Sequence, residues 1–181
     1  MEAFTEASLD QFGHSSLPFM LATHESPEKL TELDELCEAF TTNHVANRAS
    51  RLQGQALLSS AERIFSLPSL KELRHSAGHQ PPYSHLAPVF GVVTRALEIS
   101  REPASRLFFF LHLRGLLASA VRLGIVGPME AQTMQQRLGT RAEAVLVRCR
   151  ELSIDEIAQT APLLEIWQGA QDRLYSRLFQ S

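Results

Sequence analysis

The chain has 181 residues, of which 44% are apolar and 20% charged, with a formal net charge of −3. That length fits one domain with a real core, and the composition excludes a disordered or low-complexity chain. Scattered basic residues argue against a phosphate-tracking nucleic-acid surface, and two distant cysteines, Cys37 and Cys149, with no CxxC pair, support neither a zinc site nor a disulfide framework.

Helical periodicity dominates, and no stretch alternates apolar and polar residues in the manner of a strand. Residues 1–16 are expected to be poorly ordered. The first apolar cluster, Leu17 to Ala22, is too short for a signal peptide and has no basic flank. Pro27-Glu28, followed by Glu32, Asp34 and Glu35, marks a helix start, because negative charge suits the N-terminal end of the dipole. Its apolar stripe is Leu30, Leu33, Leu36 or Cys37, and Phe40. The acidic run Glu32, Asp34, Glu35 and Glu38 is most simply a solvated face.

A second helix is expected over Val45 to Phe65, with Ala49, Leu52, Ala56, Leu57, Ala61 and Ile64 buried. Gly54 weakens that pattern and marks the close approach of another backbone. Gly78 to Pro88 is the clearest loop, and helix resumes over Val89 to Leu97 with Pro88 in its first turn. Glu102-Pro103 opens a helix reaching Leu123 that is apolar on most sides and belongs at the centre of a bundle. The charges within it, Arg114 and Arg122, together with His112, argue against a membrane span. Gly127-Pro128 starts a helix reaching Cys149, Ser153 and Asp155 begin a short turn, and Pro162 opens the last helix. The expectation is an all-α, single-domain bundle of about seven or eight helices over residues 1–181, in a soluble, cytoplasmic protein.

The tail Leu174-Tyr175-Ser176-Arg177-Leu178-Phe179 is apolar and cationic to its end. Leu174 and Leu178 continue a helical period from Ile166 or Trp167, and Tyr175 and Phe179 add a strip at i, i+4, which argues for a packed tail. Arg177 is a permanently charged, bidentate donor suited to docking, although it could equally close a local pair with Asp172 or Glu165. His75, His79 and His85 cluster around the Pro-rich loop. A transient metal contact at His79 and His85 is one reading, and imidazoles bonded to backbone the plainer one. His112 reads as a satisfied core histidine. No GxSxG, HExxH, P-loop or GxGxxG motif occurs, so no catalytic residue is assigned and nothing argues for an enzyme.

Four segments in register carry a specific resemblance. They are Thr42-Asn43-His44-Val45-Ala46-Asn47-Arg48-Ala49-Ser50-Arg51-Leu52-Gln53-Gly54, then His85-Leu86-Ala87-Pro88-Val89-Phe90-Gly91, then Leu117 to Leu123 with Gly127-Pro128, and finally the tail from Leu174 to Ser181. Together, from Leu17 onward, they look like the urease accessory protein UreF family, with the Gly-Pro pair similar to plant and fungal members. Typical members begin with a segment containing Leu-Pro-x-Gly-x-Phe, which is not present here, so the chain reads as a truncated or shortened member. Many also place His-Glu where this chain has Gln171-Asp172.

The resemblance implies a non-enzymatic scaffold for nickel insertion into apo-urease. It would bind the D/H-type accessory protein and recruit the nickel-carrying G-type GTPase, with a homodimer as a further option. No nucleic acid or membrane partner is implied. No cofactor is held stably; nickel is handled transiently by the complex. By the same resemblance Tyr175, Arg177, Leu178 and Phe179 are partner-binding residues. The rival readings are an all-α adaptor from an unrelated pathway and a His-loop metalloenzyme.

Overall fold

The computed structural model describes residues 1–66 and 83–173. These residues are helical, with no strand among them. The helices are α1 (Glu2–Ser15), α2 (Leu17–Glu25), α3 (Leu30–Phe40), α4 (His44–Phe65), α5 (Leu86–Ala96), α6 (Arg101–Arg122), α7 (Pro128–Cys149) and α8 (Pro162–Gly169). Short 3-10 turns cover Pro27–Lys29, Ile154–Glu156 and Gln171–Arg173. The all-α expectation therefore holds, and most predicted starts fall within three residues of the observed ones. Contacts divide the chain into two compact units, Met1–Pro18 with Glu102–Ala161, and Phe19–Arg101 with Pro162–Ser181.

In the first unit α1 lies against α6 and α7. Residues 1–16 do not form the poorly ordered segment expected of them. Thr5, Leu9, Phe12 and Gly13 recur at helical spacing and are buried, which gives α1 a face worth ordering. Phe12 anchors it, with its ring centroid 4.4 Å from that of Phe108, 5.3 Å from Phe109 and 4.0 Å from the His112 imidazole. Burying a phenylalanine contributes roughly 1.5–3 kcal/mol, and a stacked partner adds to it.

The helix expected at the centre of a bundle is in fact half covered. In α6, Ala104, Phe108, Phe109, Leu113, Leu117 and Ala120 are buried, while Leu107, Phe110 and Leu111 are exposed. Both cysteines are buried free thiols.

In the second unit α4 and α5 pack through Leu58, Ala61, Val89 and Val93. The buried stripe of α4 is Val45, Gly54, Leu58 and Ala61; of the expected stripe Ala61 is buried, whereas Leu52 and Ile64 are exposed, at 53% and 71%. Small residues set this register. A Cβ built on Gly54 would lie 2.0 Å from the Ser84 carbonyl oxygen and 2.9 Å from the Leu86 nitrogen, so only glycine lets that backbone cross α4. Gly91 does the same for α2 on α5, where a Cβ would stand 2.1 Å from Thr23 Oγ1 and 2.3 Å from the Met20 carbonyl oxygen. Beyond that crossing, the His24 imidazole bonds the Ile99 carbonyl at 2.8 Å.

Two expected outcomes follow from these contacts. Gly54→Ala should lower the unfolding free energy by about 2–3 kcal/mol, because backbone cannot yield as a flexible side chain does. Gly139→Ala, with open space around its Cβ, should raise it by roughly 0.5–1 kcal/mol; denaturant titration of both variants checks the contrast. The second outcome concerns His112. Its burial under Phe12 pushes the imidazole down to about 4, and contact with Ser8 only partly opposes this. The unfolded chain gains its proton near the ordinary value of 6.5 while the folded chain resists, so this stability is complete above that value and shrinks as pH falls toward 4. Unfolding measured between pH 7 and 4 should show roughly 3 kcal/mol more acid loss in the wild type than in His112→Phe.

Candidate functional site: a buried polar hub between the motif segments

The second unit contains a set of charged and polar side chains that join three helices and one loop. At its centre is Asp34, fully buried on α3. The expectation of a solvated acidic face fails at Asp34, which lies four residues after Leu30 and three before Cys37 and so shares their buried face. The Asp34 carboxylate accepts three consecutive backbone N–H groups. Oδ2 takes those of Tyr83 at 2.9 Å and Ser84 at 2.8 Å, and Oδ1 takes that of His85 at 2.7 Å.

Successive N–H groups converging on one anion form a nest, and a left-handed residue is what curls them inward. Ser84 supplies it at φ 59°. For a residue with a Cβ this conformation costs about 1–2 kcal/mol. Three charge-assisted hydrogen bonds in a buried setting offset that cost. They also satisfy groups that would otherwise be orphaned just ahead of α5.

His85 is the N-cap of α5 and is fully buried. Its Nε2 lies 2.9 Å from Glu38 Oε2 and its Nδ1 lies 3.1 Å from Ser50 Oγ. The Ser50 hydroxyl also accepts the Leu86 N–H at 3.1 Å. One tautomer satisfies every atom: Nε2–H donates to Glu38, and Nδ1 accepts from the Ser50 hydroxyl. Serine, histidine and glutamate thus stand in a chain, but the hydroxyl is tied to backbone and the imidazole is enclosed. The arrangement works as a staple between α3, α4 and the start of α5.

Glu38 is the outer end of this chain. Burial alone would raise its carboxyl. Hydrogen bonds from Asn47 and His85, with the nearby charge of Arg51, outweigh burial and hold it below the ordinary carboxylate value. Asn47 Nδ2 donates to it at 2.8 Å. Arg51 Nη1 is 3.9 Å from Oε1, and its guanidinium carbon stands 5.2 Å from the Tyr83 ring centroid. Beside the hub, burial pushes the Cys37 thiol up to about 12, with Thr41 opposing and the Asp34 and Glu38 charges adding. That thiol is unreactive at neutral pH.

One further residue carries the site to the C-terminal helix. Asn43 caps α4, its Oδ1 accepting the Val45 and Ala46 N–H groups at 3.0 and 3.3 Å. Its Nδ2 donates to the Glu165 carbonyl of α8 at 2.8 Å. Held through its backbone, α8 leaves Leu163, Ile166 and Trp167 more than 60% exposed. Ile166 or Trp167 was expected to join Leu174 and Leu178 in a packed stripe; both are exposed, and Leu174 and Leu178 lie outside the described residues.

The structure thus brings together two of the quoted segments, through Asn47, Ser50 and Gly54 on one side and His85 and Leu86 on the other. Of the predicted site residues, His85 is an interior hydrogen-bonded cap whose two ring nitrogens are both engaged. His79, Tyr175, Arg177, Leu178 and Phe179, and with them His75, lie outside the described residues. Among the described residues no group of three or more His, Cys, Asp or Glu side chains is placed to share a metal. Asp34 and Glu38 were read as part of a solvated acidic face, and Asn47 and Ser50 lay in a quoted segment with no role assigned. Asp34→Ala should cost about 3–4 kcal/mol in denaturant unfolding, because three buried N–H groups lose their acceptor. Ser50→Ala should cost less, about 1–2 kcal/mol.

Comparison with known proteins identifies relatives along most of the chain. A family model described as UreF matches residues 1–139, and so includes α1 as well as the hub. Urease accessory protein F of Arabidopsis thaliana is 40% identical over 177 residues, covering 96% of this chain and 74% of that protein. Urease accessory protein F of Oryza sativa subsp. indica is 33% identical over 183 residues, covering 99% of this chain and 70% of its relative. A Schizosaccharomyces pombe protein named as an uncharacterized UreF-like urease accessory protein is 29% identical over 190 residues, covering 98% and 80%. With a family model matched over most of its length and relatives of this identity aligned along nearly all of it, the chain belongs to the UreF family of urease accessory proteins.

Proposed function

We infer that this chain serves urease maturation by binding rather than by chemistry. In this reading it is a scaffold that engages the D/H-type accessory protein and recruits the nickel-carrying G-type GTPase for delivery to apo-urease. One observation carries the reading. Two of the segments that resemble the UreF family converge on a buried staple whose donors and acceptors are consumed by one another. A site built to do chemistry keeps a nucleophile or base within reach of a substrate. A site built to hold surfaces in register spends those groups internally. The hub, with Asn43 beyond it, supports the second description.

The GTPase dock in this reading lies at the tail, where Tyr175, Arg177, Leu178 and Phe179 follow directly on α8 and its turn. Nickel passes through the assembly as cargo. The exposed Leu163, Ile166 and Trp167 extend the same region with an apolar face at i, i+3, i+4. Co-purification of the chain with the D/H-type partner and the nickel-loaded GTPase, with and without GTP, tests the proposal. A stable complex is expected, and an absence of any complex with either partner would overturn it. Arg177→Ala should weaken recruitment of the GTPase by roughly tenfold, the worth of one charge-assisted contact, while circular dichroism stays unchanged. A large loss of helicity in that variant would instead assign Arg177 to the fold.

A further inference from the structure

The first unit holds a second charged cluster, unrelated to the hub and not needed for the scaffold reading. Arg141 and Arg148 stand two turns apart on one face of α7, and both point at Asp10 on α1. Arg141 Nη2 lies 2.7 Å from Asp10 Oδ2, and Arg148 Nη2 bonds Asp10 Oδ1. They line an open cleft of about 440 Å³ together with Ala7, His14, Thr160 and Ala161.

Two features set this cluster apart from an ordinary surface ion pair. The first is charge: two guanidinium groups face one carboxylate, leaving one positive charge unmatched at the mouth of a cleft. The second is valence. A guanidinium has five N–H donors in a fixed fork. The ion pair engages Arg141 through Nη2, and its Nε is buried without a hydrogen-bond partner. An orphaned donor of this kind is unfavourable until something accepts from it. The other polar groups at the cleft are already committed. The His14 Nδ1–H donates to the Asp10 carbonyl at 2.8 Å. The N–H groups of Thr160 and Ala161 both donate to Gln11 Oε1.

We propose that this cleft between α1 and α7 is a binding site for a carboxylate, held by the Arg141 fork with Arg148 beside it. One carboxylate charge neutralises the cluster, whereas a phosphate dianion would overshoot it. Its two oxygens match the Nε and Nη donors of one guanidinium, so a modest turn of Arg141 pairs Nε without releasing Asp10. The walls, Ala7 and Ala161, leave room for the chain that carries the carboxylate. A small dicarboxylic acid and a glutamate or aspartate of a partner segment present the same group. With side chains 41% and 49% exposed at Arg141 and Arg148, the site is screened, and affinity on the order of 1 mM is expected.

The test uses the full chain, labelled with 15N, and follows the Arg141 Nε–H resonance during titration. Three probes are added separately at constant ionic strength: a capped tetraglutamate peptide, sodium succinate and inorganic phosphate. A saturable shift with the peptide identifies an acidic segment as the source of the carboxylate, and one with succinate alone identifies a small acid; either supports the site. Arg141→Gln should weaken the response of neighbouring amides roughly tenfold, while Arg137→Gln, which loses only an exposed pair with Glu2, should leave it unchanged. If Arg141→Gln does not fold, Arg148→Gln and the wild-type titration carry the test. No saturable shift with either carboxylate, phosphate binding as tightly as they do, or equal affinity in both variants would overturn the proposal.

Discussion

The Asp34 carboxylate, buried on α3, accepts the backbone N–H groups of Tyr83, Ser84 and His85, and the arrangement of the second unit depends on that acceptance. Without it the backbone ahead of α5 would be buried with its donors unpaired. The left-handed turn at Ser84 would also have nothing to offset it. With it, His85 is delivered to Glu38 and Ser50, Leu86 N–H to Ser50, and α5 begins where the Gly54 surface lets it cross. A carboxylate is suited to the task because it is the only common side chain that accepts from several donors while donating to none. Buried charge of this kind is costly unless fully bonded, and here both oxygens are bonded to backbone.

That constraint explains which parts of the molecule could be read from its residues. Helix existence was legible because Pro27, Pro128 and Pro162 stand at starts and Gly124 at a stop, each acting through its own backbone geometry. The role of Gly54 was legible for the same reason. The face each helix buries was harder. In α4 the large residues Leu52 and Ile64 were placed on the buried stripe, but the stripe runs through Val45, Gly54, Leu58 and Ala61. Close backbone approach wants small side chains, and a count of apolar residues is blind to it. In α1 the fault ran the other way, since Thr5 and Gly13 carry little hydrophobic signal yet complete a buried face around Phe12.

The hub itself was half visible. His85 was singled out within the histidine cluster and the segment around Ser50 by resemblance, while Asp34 was counted with its acidic neighbours as solvated. A buried carboxylate cannot be told from an exposed one by charge. It can be suspected from position, because Asp34 shares the helical face of Leu30 and Cys37. The backbone donors that it serves lie about fifty residues away, and no local pattern announces such a partner.

Functionally, the second unit combines a rigid interior with an available edge. The Asn43 side chain ties the start of α4 to the backbone of α8, so the staple extends to the helix that leads into the tail. The chain belongs to the UreF family, and under the proposed scaffold role this arrangement would hold the edge of α8 in fixed relation to α4. The central claim is that the Asp34 nest is closed in the native protein. Native-state hydrogen exchange of the Tyr83, Ser84 and His85 amides tests it most directly. The account predicts that these three exchange only with unfolding of the whole unit, as slowly as the interior of α4 and α5; exchange at the rate of an open loop would contradict it.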